Sequence, residues 1–249
     1  MLKFITRTAW LFWCWIELGI FTLILYLLAW LPSALTSSYY HKLFRLWCRF
    51  FVRALDVDLR LHQKYQGNLP EQFILIANHP SAFEDVGIAA LFNVKLLAKQ
   101  GVRSWFLVGK INEAAGTLFV KRDSKESRNK AAEDLTALIN KGHNVALFPE
   151  GGCKGRRIFE TFQYGAFDIS IKTGIPILPV FLHYEMQDTF EWRDPQTLID
   201  KFWHFMTCQN NHANYYVYDP IDPKDFNDKV AYSEYVHNLY LEWQKRYLD

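Results

Sequence analysis

Residues Ala9 to Leu31, AWLFWCWIELGIFTLILYLLAWL, form an almost unbroken apolar run with Glu17 as the only charge in it. No other feature restricts the fold as strongly, because at about 1.5 Å per residue a helix of this length reaches across a hydrocarbon core. A secretory leader fits poorly: the run is longer than a usual leader core, and no small-x-small site closes it. Glu17 is costly at mid-membrane, so entry into one leaflet and return is the alternative to a full span. Lys3 and Arg7 precede the run and further basic residues follow it, which leaves the orientation open.

After Pro32 the segment SSYYHKLFRLWCRFFVRAL separates into two faces when wound as a helix. Leu43, Leu46, Trp47, Phe50 and Ala54 share one stripe, and Lys42, Arg45, Arg49 and Arg53 form a basic edge beside it. This predicts a helix lying in a membrane interface with its cations toward anionic headgroups. The alternative is a surface helix that packs its stripe on the protein's own core. An aromatic content of 17%, with nine Trp, suits a chain that works at a lipid boundary. With 28 basic against 26 acidic side chains, the formal charge of +2 lacks the excess of a nucleic-acid binder.

From Val57 onward short β-rich runs alternate with helical stretches. VDLRL, FILIA, VKLLA, TLFV, NVALF and PILPVFL read as strands, the last five apolar enough to be buried on both faces. Between TLFV and NVALF lies a helix capped by Ser124, with Ser127 in its first turn and Gly142 closing it. Thr189 to His204 and Val230 to Leu248 also read as helical. The expected architecture is α/β, a central mixed sheet flanked by helices and preceded by an N-terminal membrane helix or hairpin. The expected division places membrane-anchoring helices in residues 1–55 and a catalytic domain in 56–249. Cys14, Cys48, Cys153 and Cys208 form neither a C-x-x-C pair nor a zinc pattern, so they read as reduced thiols in a cytosolic compartment.

The stretch Asn78-His79-Pro80-Ser81-Ala82-Phe83-Glu84-Asp85 follows directly on a buried strand, where open α/β folds place their chemistry. A histidine acts as a base near neutral pH when a carboxylate on its far ring nitrogen fixes the tautomer. Glu84 is the first candidate for that carboxylate and Asp85 the second. In TLFVKR a strand delivers Arg122, suited to bidentate contact with phosphate. In FPEGG a strand ends in a turn where Glu150 and two glycines bring backbone close to a bound group. In GIPILPV, Pro176 and Pro179 suggest a strand at an edge or wall, since proline removes a ladder donor.

In their order these blocks resemble the glycerolipid and lysophospholipid acyltransferase family, which includes the 1-acylglycerol-3-phosphate acyltransferases. The matching segments are NHPSAFED, AKQGVRSWFLVGKINEAAGTLFVKR, FPEGG and IPILPV, and the resemblance runs from about residue 40 to 185. It implies that His79 is the general base that takes a proton from an acceptor hydroxyl, which then attacks an acyl thioester. It also implies that Lys99 and Arg122 hold the acceptor's phosphate, with Glu150 and Gly151 closing the acceptor side. The donor would be acyl-CoA or acyl carrier protein, with no metal and no bound cofactor. The partners would be a lipid membrane and a lysophospholipid, and the place the cytoplasmic membrane with its catalytic domain on the cytoplasmic side.

The chain departs from the family's pattern at three positions. Glu84 stands where an aspartate is usual, Gly152 where a threonine is common, and Gln163 where a lysine is common. The missing lysine removes a cation from the implied phosphate pocket, for which Lys154, Arg156 and Arg157 are possible substitutes. These departures touch the acceptor more than the reaction. A lyso-ornithine lipid, a lysophospholipid with a larger head or a lipid A precursor is therefore the alternative acceptor, and a catalytically silent lipid-binding protein the alternative class. A Ser or Cys nucleophile is disfavoured: Ser81 lies outside a G-x-S-x-G elbow, and Cys153 has no clear base nearby in sequence.

Overall fold

In the computed structural model, which describes residues 2–193 and 195–249, seven strands form one sheet. They are β1 (Asp58–Gln63), β2 (Ile74–Ala77), β3 (Lys95–Lys99), β4 (Leu118–Val120), β5 (Val145–Leu147), β6 (Ile177–Tyr184) and β7 (His212–Val217), in the spatial order β1-β7-β6-β2-β5-β3-β4. β6 and β7 pair antiparallel and the other neighbours parallel, so the sheet is mixed. The helices are α1 (Leu2–Leu28), α2 (Ser33–Ala54), α3 (Glu84–Leu91), α4 (Val108–Ala114), α5 (Lys125–Asn140), α6 (Gly165–Thr173), α7 (Gln187–Phe190), α8 (Leu198–Thr207) and α9 (Lys229–Tyr247). The expected α/β architecture, mixed sheet and N-terminal apolar helix are all present.

Alternation along the central strands divides the interior in two. Leu75 and Ala77 of β2, with Leu178 and Val180 of β6, face a core shared with α1, α2, α3 and α8. Ile74, Ile76, Ile177 and Phe181 face the opposite core, built with α5, α6 and α9. The first two helices therefore belong to the same packed interior as the sheet. β2, β5 and nearly all of β6 are buried on both faces, as their apolar runs predict. β3 and β4 are only partly buried: β4 is the edge strand, and Leu96 and Ala98 of β3 line a cavity.

β6 is a central strand, contrary to the edge position expected from its prolines. Pro179 O accepts from Tyr218 N at 3.1 Å, so its nitrogen faces a segment where the β6–β7 ladder has already ended. A missing donor is tolerated there. The predicted helix over 189–204 is instead two helices, α7 and α8, separated by an irregular stretch with Pro195 in it. Asp194 in that stretch and the Lys3 side chain lie outside the described residues. α5 starts as expected, with the Ser124 hydroxyl accepting from Ser127 N.

The α2 stripe packs inward except at Leu46, which is 40% exposed. Trp47 and Ala54 are buried, Phe50 meets Phe21 of α1 with ring centroids 5.2 Å apart, and the Trp47 indole donates to Thr22. Of the basic edge, Lys42 and Arg49 are exposed, and three of its arginines have partners within the protein. Arg45 and Arg49 donate to the carbonyls of Leu91 and Ala90 at 3.2 and 3.0 Å, capping the C-terminal end of α3 where cations are favoured. Arg53 pairs with Glu17, which gives the lone charge of the apolar run a partner. α1 carries a span, Ile5–Leu28, long and apolar enough to cross a membrane, with a mean hydropathy of 2.0.

Gly87 is the point at which α3 touches β7. A methyl group there would overlap the hydroxyl of Tyr215, which is fully buried. Gly87→Ala is expected to lower stability by about 1–3 kcal/mol through overpacking, in spite of the better helix propensity of alanine. Thermal unfolding in detergent reads this as a lower midpoint; an unchanged midpoint would mean that Tyr215 has an alternative position.

Candidate active site

Parallel neighbours β2, β5, β3 and β4 end on the same side of the sheet, and the residues singled out in the sequence follow those ends. His79 comes two residues after β2 and Glu150 three after β5, while Lys99 closes β3 and Arg122 lies just past β4. Asn78 fixes the first of these turns by bonding across to β6: its amide donates to Leu182 O at 3.0 Å and accepts from Leu182 N at 2.7 Å.

His79 Nδ1 lies 2.9 Å from Glu84 Oε2, and both side chains are buried. Because a carboxylate can only accept, Nδ1 carries the proton, and in the neutral ring Nε2 is left with a free lone pair. Glu84 is the first residue of α3, so the helix N-terminus favours its charge. Its Oε2 also accepts from Ser81 N at 3.1 Å, and its Oε1 accepts from the Tyr184 hydroxyl at 2.6 Å. Burial pushes the Tyr184 phenol well above its ordinary pKa, so it remains a donor. Burial opposes a charge on the His79 ring, but the Cys153 and Glu84 contacts outweigh it and raise the pKa well above 6.5. Phe148 stacks on the ring at a centroid distance of 4.3 Å.

Asp85 makes no hydrogen bond to His79 among the described residues; it lines a cavity on the other side of the α3 turn. Burial raises its pKa, the charges of His79 and Arg122 pull it partly back, and Glu84 adds to the rise. Glu150 does not face open space. Its Oε1 accepts from His79 N at 2.8 Å and its Oε2 from Phe159 N at 3.1 Å, so it braces the His79 turn against the loop after β5. Burial lifts its pKa to about 7 against the pull of those two donors. Gly151 has φ +76, a conformation that favours glycine, and the Arg122 guanidinium lies against Gly152, with Nη1 2.8 Å from where a Cβ would stand. Lys99 is exposed at the end of β3, whose neighbour β4 leads to Arg122. Arg156 and Arg157 pair with Asp188 and Asp249, so these two substitutes for the missing lysine have other partners, and Lys154 lies over the Phe159 ring.

Two residues near the dyad were not legible as such in the sequence. Tyr184 reaches Glu84 only because β6 lies beside β2. Cys153 stands 3.5 Å from His79 Nε2, so the base that it lacks in sequence is present in space. The sulfur is nearly as close to Nδ1, at 3.7 Å, which places it off the Nε2 lone-pair direction, and its thiol donates to Ser81 O at 3.0 Å. Ser81 is fully buried, and its Oγ accepts from Phe83 N.

Next to the dyad a cavity of about 430 Å³ runs between α1, α2, α3, α8 and the segment 102–108. Leu18, Phe44, Trp47, Phe83, Val108 and Phe202 are among its mostly apolar walls. Its lining includes Ala82, Phe83 and Asp85 but neither His79 nor Glu84, and its apolar walls suit an apolar chain.

A family model described as Acyltransferase matches residues 60–183. The lyso-ornithine lipid O-acyltransferase of Pseudomonas aeruginosa is 32% identical over 174 residues, covering 67% of this chain and 66% of that protein. The 1-acyl-sn-glycerol-3-phosphate acyltransferase of Neisseria meningitidis is 28% identical over 136 residues, covering 55% and 53%. The chain thus spans about two thirds and about half the length of these two relatives. The crystal structure of the 1-acyl-sn-glycerophosphate acyltransferase PlsC from Thermotoga maritima shares the fold, with a TM-score of 0.69 over 98% of this chain and 96% of that one at 19% identity.

The His79 ring should lose its proton above pH 6.5, because its raised pKa keeps the charged form populated as pH rises past the ordinary imidazole value. Glu84→Gln removes the opposite charge and should move the midpoint down, as read by NMR of the labelled imidazole. Tyr184→Phe leaves a buried carboxylate oxygen without its donor and should lower stability by about 1–3 kcal/mol; no loss in denaturant unfolding would mean that water replaces the phenol.

Proposed function

The chain belongs to the acyltransferase family, and from that premise we propose that it moves a fatty acyl group from a thioester to the free hydroxyl of a lysophospholipid at a membrane. The first acceptor is 1-acylglycerol 3-phosphate, which would become phosphatidic acid, and the donor is acyl-CoA or acyl carrier protein. The observation that carries this reading is the buried His79–Glu84 pair, separated by the first turn of α3 from an apolar cavity that Phe83 and Val86 line.

In this mechanism the free Nε2 of His79 takes the proton of the acceptor hydroxyl as its oxygen attacks the thioester carbonyl. Glu84 stabilises the imidazolium that forms. The tetrahedral intermediate then expels the thiolate as its C–S bond breaks, and the imidazolium returns the proton to the leaving sulfur, so the enzyme ends as it began. The thioester is already activated, so residues of this chain suffice for the proton transfers, with no bound cofactor. Arg122 and Lys99 would meet the acceptor's phosphate and the cavity would hold an acyl chain. Residues 1–55 would attach the protein to the membrane and residues 56–249 carry the chemistry, on the cytoplasmic face.

A lyso-aminolipid such as lyso-ornithine lipid is the second reading of the acceptor. It is favoured by Gln163, whose Cγ lies 3.4 Å from the Cβ position of Gly151, where the family commonly has a cation, and by the Pseudomonas relative.

Purified protein in detergent, given a labelled acyl-CoA and 1-acylglycerol 3-phosphate, should form phosphatidic acid. His79→Ala should lower the rate by about 10²- to 10⁴-fold, the scale of a general base. Glu84→Gln should follow it, while Asp85→Asn should have a much smaller effect. Transfer to lyso-ornithine lipid alone would select the second acceptor, and a lack of transfer to every lysolipid offered would overturn the reading.

A further inference from the structure

α8 has its polarity reversed for a helix that faces water. Lys201 is fully buried, and its ammonium donates to Thr189 O at 3.0 Å and to Glu191 O. On the outer side, Ile199 is 78% and Trp203 64% exposed. A helix free to turn in water would bring those two apolar side chains in and let the lysine out. It is held from turning at both ends. A capping box of Thr197 and Asp200 fixes its start. Near its end, the Trp15 indole of α1 donates to Met206 Sδ at 3.0 Å and Arg7 donates to Met206 O.

Its apolar face also continues a larger one. α8 packs Phe202 against Trp15 of α1 and Phe51 of α2, at ring centroid distances of 6.3 and 5.4 Å. α1 leaves Trp10, Trp13, Ile16 and Ile20 more than a third exposed. In the segment 102–108, which lines the same cavity as Leu198 and Phe202, Phe106 is 85% exposed. The uncovered apolar surface therefore surrounds the cavity on sides far apart in sequence. Exposed apolar area of this extent marks an interaction site, and its continuity with a helix apolar enough to span a membrane points to lipid as the occupant.

We propose that the outer face of α8, through Ile199 and Trp203, is a membrane-inserting surface that enters one phospholipid leaflet beside α1. The interfacial helix is thus α8 rather than α2, whose arginines bond to the end of α3 and to Glu17. The inference rests on the membrane reading of the function but concerns an element remote from the N-terminus. α8 lies with its apolar face about 5–10 Å below the headgroup boundary, the depth usual for such helices.

Full-length Ile199→Cys and Trp203→Cys proteins, labelled with an environment-sensitive NBD dye, would be bound to vesicles of phosphatidylethanolamine and phosphatidylglycerol. Tyr235→Cys, exposed on α9, serves as the water-facing position, and unsubstituted protein reports labelling of the native thiols. Binding should shift the emission of dye at 199 and 203 to the blue, and lipids carrying a doxyl group near the carbonyl end of the chain should quench it, with neither change at 235. Water-like, unquenched dye at 199 and 203 in protein that sediments with the vesicles would overturn the proposal and leave the proposed reaction intact. A blue shift already present without vesicles and insensitive to doxyl lipid would overturn it in favour of a second copy of the chain as the cover. Protein that does not sediment with vesicles would overturn both this proposal and the membrane reading.

Discussion

The structure depends on making a carboxylate acceptable in a dry place. Glu84 is fully buried, and an unpaired charge there would be strongly destabilising. Three donors remove the problem, one each from the His79 ring, the Ser81 backbone and the Tyr184 phenol. They come from the turn after β2 and from β6, so the charge is satisfied only when those elements and the start of α3 are assembled. The same bonds set the tautomer of His79, and the fold and the reactive state of the base are consequences of one network.

A second chain of contacts links this network to the membrane end. α3 has only eight residues and holds Glu84 at its first position. Arg45 and Arg49 of α2 close its last carbonyls, and α2 is held against α1 by Arg53–Glu17 and the Trp47–Thr22 bond. Glu150 adds a brace from the other side, binding the backbone of His79 to that of Phe159. The helical hairpin is thus part of the support of the dyad.

The parts of the molecule that local pattern governs were legible in the sequence. The apolar runs of β2, β5 and β6, the Ser124 cap and the His79–Glu84 spacing each depend on neighbouring residues. What was not legible depends on partners far along the chain. β7 has polar residues, His212 and Asn214, on one face, where they meet Glu185 and His62, so its alternation does not look apolar. The α2 arginines form a basic edge that suits headgroups equally well until α3 is seen to end beside them. Pro179 signals an edge only when the local ladder is unknown. Tyr184 and Cys153 reach the dyad through strand order and turn shape, neither of which a single sequence displays.

The two polarity reversals of the molecule share one explanation. α2 turns Arg45 inward, and α8 buries its lysine while exposing isoleucine and tryptophan. In each case an inward cation finds backbone carbonyls, acceptors that hold a charge without introducing a carboxylate. Turning Arg45 and Lys201 inward removes two cations from the surface around the cavity. An acyl chain entering from a leaflet through such a rim would exchange one apolar environment for another, and only its carbonyl end would meet the buried polar network at His79. The apolar wall and the buried charge are kept apart by the single turn of α3, with Phe83 and Val86 facing the cavity and Glu84 facing the histidine.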